Sequence, residues 1–480
     1  MSDPTRREFL QSSLAVAGTM ATAPALALAS TPAGAKRPNL LFIYTEGQRA
    51  DALSIAGHPI LQTPNQDRIG REGVRFRNAF CTNALCAPAR ATALTGLWSR
   101  TSGALDNKQV ATAPLPADIP LFTDLLHDAG YQTAMLGKAH VRNGVKDRHW
   151  DYYFGFNAPS TNYYRPKFIE GRNGVYGPEK TYHGYADDIV TDKALAWLKE
   201  DRGDKPFCLC LWYQTPHAPF FRARRHLDLY NGVSIPKPPT FDDDLKGYPG
   251  KPKAFVDADN KIGTIDTQDA VRSLEELCKD YYAGVVAIDE DMGRVFSHLE
   301  STHQMDDTAI VHSSDHGYFL GEWRLFDKRL MHEPSIRVPM MIRYPKRINP
   351  GIVRDEMVLD VDIAPTILDL AGINTPSTMQ GASMMPLAGT AHPKWREEWL
   401  YDYYEYPGFE NVMAHRGIRT ATHKLIDWYT TPGTFELYDL TNDPLERNNL
   451  YGDPAHATIQ QDLANRLAKL LQDIPTRHET

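Results

Sequence analysis

Several stretches of the chain are nearly continuous apolar runs that end in polar residues. They include Asn39 to Thr45, Phe207 to Tyr213 and Thr308 to Ser313. Runs of this kind favour strands that are buried on both faces, as in a parallel sheet covered by helices. Segments with helical periodicity, such as Ala186 to Glu200 and Gln268 to Leu299, lie between them. The alternation predicts an α/β fold with a large mixed, mostly parallel sheet flanked by helices.

The pattern changes near residue 385, where short strand patterns precede a final amphipathic helix. These segments are Glu398 to Glu405, Gly417 to Tyr429, Phe435 to Leu440 and Ala457 to Leu471. The whole chain has 480 residues, which is too long for one small core. We therefore expect a large domain over 36–384 and a smaller C-terminal α+β domain over 385–480.

The first residues, 1–35, have the pattern of an export signal. Thr5 to Gln11 contains the pair Arg6-Arg7 and resembles a twin-arginine motif, and an Ala-rich apolar run continues to Ala29. That run is shorter and less apolar than the ~20 residues that a membrane-spanning helix needs. We expect a twin-arginine signal peptide, the twin-arginine export machinery as a partner, a periplasmic or secreted protein, and no stable membrane span.

Composition excludes two classes of protein. The net charge is −8, so the chain lacks the basic field of a nucleic-acid-binding protein, and nucleic acid is not an expected partner. The five cysteines are too few and too unevenly spaced for a disulfide framework. Free thiols are expected at Cys81, Cys208, Cys210 and Cys278, and Cys86 is the exception.

Polar residues cluster at the predicted strand ends and in the loops that follow. In open α/β sheets the carboxyl ends of the strands form the ligand-binding edge, so these side chains are expected to converge. They are Glu46, Lys138, His140, His217, Asp315 and His316. Taken singly, each has an ordinary structural interpretation, such as a solvated lysine or a hydrogen-bonded loop. A Tyr-, Asn- and Gly-rich stretch over 146–182 is expected to form a loop over this edge.

Cys86 precedes Pro88, which favours the first turn of a helix and would leave the sulfur at its N-terminal end. The order Cys86-Ala87-Pro88-Ala89-Arg90, followed by small residues and Thr95-Gly96, resembles the signature of type I, formylglycine-dependent sulfatases of the alkaline phosphatase superfamily. Further segments fit that family in order. They are Thr63-Pro64-Asn65, Gly137 to His140, Pro216 to Pro219, Ser314 to Gly317, Leu320 to Glu322, Lys328, Leu437 to Leu440 and Asp443-Pro444.

The resemblance implies an alkaline-phosphatase-like fold and a modified residue at the site. Cys86 would be oxidised to Cα-formylglycine by a formylglycine-generating or other sulfatase-maturating enzyme. One divalent cation is implied, with Ca²⁺ expected first and Mg²⁺ or Mn²⁺ as alternatives. Its implied ligands are Glu46, Cys86, Asp315 and His316.

The resemblance also implies a role for each catalytic residue. The hydrated aldehyde at position 86 would attack sulfur. Lys138 and Lys328 would neutralise the sulfate oxygens, and Arg90 would hold the diol and the helix start. His217 would protonate the leaving alkoxide, and His140 would take the proton from the remaining diol hydroxyl.

Two positions depart from the family pattern. Many members carry two adjacent carboxylates at the first strand end, whereas this chain has Glu46-Gly47. His316 replaces a frequent asparagine, a variation also found in phosphonate monoester hydrolases of the superfamily. One carboxylate ligand is therefore missing or replaced.

The C-terminal segments Tyr401 to Pro407 and Met413 to Thr420 resemble those of carbohydrate sulfatases, among them enzymes that remove 6-O-sulfate from N-acetylglucosamine. On this basis His415 and Arg416 are expected to bind substrate. The alternative is that the tyrosine cluster only packs the strands.

The resemblance implies a sulfuric ester hydrolase that acts on a sulfated carbohydrate. Two alternatives stay open. One is an arylsulfatase or a phosphonate monoester or phosphodiester hydrolase of the same superfamily. The other is a non-catalytic binder of sulfated glycans, against which the retained Cys86, Lys138, His140 and His217 argue, because a binder has no need of an oxidisable cysteine.

Overall fold

A computed structural model describes residues 36–108, 115–141, 148–243, 251–258, 273–389 and 392–477. Arg37–Thr480 form one unit. The predicted leader over 1–35 lies outside the described residues. The domain boundary predicted at 384/385 stays a prediction.

A large mixed sheet forms the centre of the fold, as predicted. Among the described residues it has eleven strands, and its middle strands run parallel in the order β5-β4-β9-β1-β10. These strands are β1 (Asn39–Thr45), β2 (Val74–Phe76), β4 (Gln132–Lys138), β5 (Tyr152–Phe156), β6 (Lys167–Arg172), β7 (Val175–Tyr176), β8 (Lys180–Thr181), β9 (Phe207–Trp212), β10 (Thr308–Ser314), β13 (Met340–Arg343) and β14 (Ile352–Arg354). Because β1, β4, β9 and β10 are parallel neighbours, their carboxyl ends meet at one edge.

A second sheet and two short strand pairs complete the described fold. The second sheet is four-stranded and antiparallel and lies in the C-terminal region, whereas the two short pairs are formed by segments between strands of the main sheet and just after them. The four strands are β16 (Glu398–Tyr403), β17 (His415–Thr420), β18 (His423–Asp427) and β19 (Phe435–Asp439). The short pairs join β3 (Ala79–Phe80) to β15 (Val358–Leu359) and β11 (Phe319–Leu320) to β12 (Phe326–Asp327). The single strand pattern expected over Gly417 to Tyr429 is thus two strands joined by a turn.

Helices cover the sheets and bury their apolar faces against them. The longest begins after Ser273, whose side chain forms a capping box with Glu276. The helices are Pro64–Arg71, Cys86–Thr95, Ser99–Ser102, Phe122–Asp128, Ala186–Leu198, Lys253–Val256, Leu274–Ser301, Glu333–Ile336, Ile363–Leu370 and Ala457–Asp473. No helix among the described residues combines the length and apolar character needed to cross a bilayer.

The prediction that residues 146–182 form a loop is wrong for the described part of this stretch. The described part of this stretch contributes β5, β6, β7 and β8 to the main sheet. The physical reason lies in Tyr152–Phe156, whose residues are all buried against neighbouring strands. Gly155 allows the close approach to β4, because a Cβ there would lie 2.2 Å from the Gly137 carbonyl oxygen.

Candidate active site

Cys86 begins the helix Cys86–Thr95, and every residue of that helix is buried. Pro88 lies in its first turn, as expected for a residue without an N–H donor. Gly96 ends the helix in the left-handed conformation, with φ of 65°. The sulfur therefore lies at the N-terminal end of a buried helix, close to the residues that follow the parallel strands β1 and β10.

Four residues predicted as metal ligands come together there. One donor atom each of Glu46, Cys86, Asp315 and His316 lies within 4.8 Å of the others, and all four residues are buried. The Cys86 thiol donates to Glu46 Oε1 at 2.7 Å, and its sulfur lies 3.6 Å from His316 Nε2. The Asp315 carboxylate is held by the backbone N–H groups of Gly47 and His316, each at 2.9 Å.

Arg90 joins three strand ends through one guanidinium group. It donates from Nη2 to Glu46 Oε2 at 2.6 Å, from Nη1 to the Lys138 carbonyl oxygen at 2.7 Å, and from Nε to Asp315 Oδ2 at 3.1 Å. The rings of Tyr44 and Trp212 flank it. This planar fork fixes the relative positions of β1, β4 and β10 at the site.

Further cations and imidazoles surround the same Glu46 carboxylate. Lys138 Nζ lies 2.7 Å from Oε2, and Lys328 Nζ lies 4.0 Å from Oε1. His217 Nε2 lies 3.7 Å from Oε1, and His140 lies beside Cys86. Among these side chains His217 is the most open, at 16% exposed, whereas Lys138 is fully buried. His217 therefore lies on the open side of the site.

The charges around the site lower the pKa of Glu46 and Cys86 and raise the pKa of Asp315. Burial opposes ionisation of Glu46, but Lys138 and Arg90 hold its pKa well below the usual value. Burial also opposes ionisation of Cys86, yet Lys138 and Lys328 bring the pKa of its thiol well below the usual value. Burial and the Glu46 charge instead raise the pKa of Asp315 to about 7.

The donor set fits a divalent cation. Glu46 turns Oε2 toward Arg90 and Lys138, which leaves Oε1 facing Cys86 and His316. Two carboxylates and one imidazole nitrogen, together with an oxygen of a modified residue 86, are suitable ligands for Ca²⁺, Mg²⁺ or Mn²⁺.

The structure explains why glycine stands at position 47. Gly47 adopts φ of +74°, and a Cβ there would lie 3.3 Å from the Tyr318 ring and 3.4 Å from His316 Cε1. The rings of His316 and Tyr318 thus limit the space beside Gly47. The two departures from the family pattern are in contact with each other.

Replacement of Gly47 by alanine is expected to lower the free energy of unfolding by about 1–2 kcal/mol, because the new Cβ is strained at this φ and meets two rings. Gly57→Ala is the matched control, since Gly57 has φ of +90° with nothing within 4 Å of a Cβ. Urea unfolding measures both variants. Equal losses would show that the neighbouring rings add nothing to the backbone strain.

The structure does not fit His415 as a sugar contact. His415 is fully buried, accepts a hydrogen bond at Nε2 from the Met331 N–H at 3.1 Å, and packs against Tyr401 and Tyr403. Arg416 is partly exposed and bonds to Asp427 within its own sheet. Tyr401 and Tyr403 are also buried, in agreement with the strand-packing alternative.

Sequence reasoning missed residues that support the Cys86 helix from outside. Asn107 Oδ1 accepts a hydrogen bond from the Ala87 N–H at 3.1 Å, and Glu405 in turn accepts one from the Asn107 N–H at 3.1 Å. Leu85, the N-cap residue, has no side chain for this purpose. A lone Asn and a lone Glu in separate segments carry no sequence signal for such a cap.

Two family models match the chain. One is described as "Sulfatase" and matches residues 38–373. The other is described as "N-sulphoglucosamine sulphohydrolase, C-terminal" and matches residues 321–473. Together they cover nearly all of the described residues.

Individual proteins show the same similarity. The N-acetylglucosamine-6-O-sulfatase of Bacteroides thetaiotaomicron is 37% identical, over 90% of this chain and 86% of that protein. The multifunctional alkaline phosphatase superfamily protein PehA of Trinickia caryophylli is 28% identical, over 90% and 94%. A protein solved in complex with its substrate, D-glucosamine-2-N,6-O-disulfate, superposes with a TM-score of 0.82 and 34% identity, over 91% and 98% of the two chains.

Proposed function

The chain belongs to the sulfatase family, and from this premise we propose that it removes sulfate from a sulfated carbohydrate, with a 6-O-sulfated glucosamine unit as the first candidate. As a sulfatase it is a sulfuric ester hydrolase. The observation that carries the proposal is the convergence of Glu46, Cys86, Asp315 and His316 beneath two lysines. The glucosamine part rests on the relatives named N-acetylglucosamine-6-O-sulfatase and solved with the glucosamine disulfate.

The reactive group is proposed to be Cα-formylglycine at position 86, produced by a formylglycine-generating or other sulfatase-maturating enzyme. The low pKa of the thiol and its place at the strand edge support this. Glu46, Asp315, His316 and residue 86 would hold one divalent cation, Ca²⁺ in the first instance. When bound, the cation supplies Lewis acidity and lowers the pKa of a coordinated hydroxyl group.

The chain's own residues perform the remaining steps. The ammonium groups of Lys138 and Lys328 attract the sulfate oxygens in a buried site, where such charges are effective. Arg90 keeps residue 86 and the strand ends in register. His140, which lies beside residue 86, accepts a proton there.

His217 is placed to serve the leaving group. Its Nδ1 donates to the Ala218 carbonyl oxygen, which turns Nε2 toward Glu46 Oε1 and the site. Because His217 is the most exposed of these residues, the departing sugar oxygen would lie on its side. In its imidazolium form the ring carries a second proton at Nε2, and transfer of this proton would let an alkoxide leave as an alcohol and return the ring to its neutral form.

Replacement of His217 by alanine is expected to lower kcat for a sulfated sugar by about 10² to 10⁴-fold, the usual contribution of a general acid. For an aryl sulfate with a nitrophenolate leaving group, which needs little protonation, the loss is expected to be far smaller. Paired kinetics on the two substrates measure this ratio. An equal loss on both would contradict the leaving-group role.

The substrate class is tested by giving one preparation a panel of defined sulfated sugars, an aryl sulfate and an aryl phosphonate ester. We expect glucosamine 6-O-sulfate to be hydrolysed with the highest kcat/KM. Phosphonate turnover that exceeds sulfate turnover, with the sugars inert, would overturn the proposal and favour the phosphonate alternative. The panel includes more than one ester class because PehA, one of the similar proteins, is named as a multifunctional alkaline phosphatase superfamily protein.

We also propose that the enzyme works outside the cytoplasm, after export by the twin-arginine route. The support is the sequence alone, from Arg6-Arg7 through the Ala-rich run. Because this route carries folded proteins, residue 86 would be modified and the cation bound before export.

A further inference from the structure

Lys328 lies between two residues with an unusual backbone conformation. Asp327 has φ of 73° and Arg329 has φ of 87°, both in the left-handed region. Side chains other than glycine adopt this region only when surrounding contacts impose it. The segment from 327 to 331 must therefore be held in place from outside.

The C-terminal sheet supplies these contacts. The Tyr401 hydroxyl donates to the Arg329 carbonyl oxygen at 2.5 Å. The Met331 N–H donates to His415 Nε2 at 3.1 Å, and Lys424 Nζ donates to the Met331 carbonyl oxygen at 2.7 Å. His415, which sequence similarity assigned to substrate, is thus one of the groups that hold the Lys328 segment.

A chain of ion pairs runs from this region to the site. Glu410, between β16 and β17, places Oε2 2.6 Å from Arg329 Nη1. The same Nη1 lies 2.6 Å from Asp327 Oδ2, and Asp327 Oδ1 lies 3.2 Å from Lys328 Nζ. All four side chains are at least nine-tenths buried, so solvent screens these contacts weakly.

We propose that Glu410 is a positioning residue for sulfate binding, which acts through Arg329 and Asp327 to set the place of the Lys328 ammonium. Arg329 Nη1 is shared between two carboxylates. Without the carboxyl group of Glu410, the guanidinium turns more fully toward Asp327, because a bidentate pair is the favoured geometry. The Asp327 carboxylate then moves away from the Lys328 ammonium group. The inference rests on the proposed role of Lys328 in binding sulfate.

The test compares wild-type enzyme with Glu410→Gln, which keeps the side-chain shape and replaces the carboxyl group by an amide. Inhibition by inorganic sulfate, together with KM and kcat for an aryl sulfate, is measured for both. We expect the inhibition constant and KM to rise roughly tenfold, with a smaller change in kcat. Arg329→Lys, which keeps the charge but loses the fork, is expected to shift the same constants. Glu398→Gln is the control. Glu398 lies on β16 and pairs with Arg466 of the last helix, so the same exchange is made in an ion pair that does not include the Lys328 segment.

The decisive comparison uses a Lys328→Met background. If Glu410 acts through Lys328, Glu410→Gln has no further effect on sulfate inhibition there. An unchanged inhibition constant in the single variant, or the same fold-change in both backgrounds, would overturn the proposal. A lower active fraction with unchanged inhibition would indicate a structural role alone. Failure of the proposed function is separate, since it would already show in the wild-type substrate panel.

Discussion

Cys86→Ala is expected to abolish sulfate ester hydrolysis, with kcat reduced by more than about 10⁴-fold. The reason is that residue 86 supplies both the proposed nucleophile and one ligand of the proposed cation. Its position at the start of a buried helix, 2.7 Å from Glu46 Oε1, leaves no neighbouring group to replace it at that point. Turnover of an aryl sulfate, normalised to folded protein, measures the loss.

Cys278→Ala is the matched control. Cys278 is also a buried free thiol, but it packs in a separate apolar cluster around Tyr281. It should retain wild-type turnover. Mass spectrometry of the wild-type peptide that contains residue 86, from the natural host, should show an aldehyde in place of the thiol. Full activity in Cys86→Ala, or an intact thiol throughout an active preparation, would contradict the proposed chemistry.

The sequence predicted the core of the site because polar residues followed apolar strands. Glu46 follows β1, and Asp315 follows β10, its parallel neighbour, so their convergence is a consequence of the sheet. Cys86 and Arg90 lie one helical turn apart, which places both side chains on the same helix face. The convergence of Glu46 and Asp315 follows from the strand pattern, and the roles of Cys86 and Arg90 follow from the family resemblance of their segment.

The supporting contacts were not predictable for the opposite reason. Asn107, Glu405 and Glu410 are separated in sequence from the groups they hold, and none belongs to a periodic pattern. The burial of His415 was not predictable either, because resemblance to a segment does not say which way a side chain faces. In β17, His415 and Arg416 alternate, so one is buried and the other is partly exposed.

Lys424→Met is expected to lower the free energy of unfolding by about 3–5 kcal/mol, because it removes one partner of a buried ion pair. Lys424 is fully buried, with Nζ 2.5 Å from Glu446 Oε1 and 3.0 Å from Glu333 Oε1. Arg419 still pairs with Glu333 after the substitution, so Glu446 is the acid left without a cation. Urea unfolding measures the change.

Lys469→Met makes the same exchange on the last helix, where Lys469 is 74% exposed and pairs with Asp473. Its effect should stay within about 0.5 kcal/mol, as for other exposed ion pairs. A loss below about 1 kcal/mol in Lys424→Met would show that Glu446 takes up a proton and tolerates burial without its partner. A loss in the expected range would instead mean that the cation at 424, which also binds the Met331 carbonyl oxygen, stabilises the C-terminal sheet against the Lys328 segment.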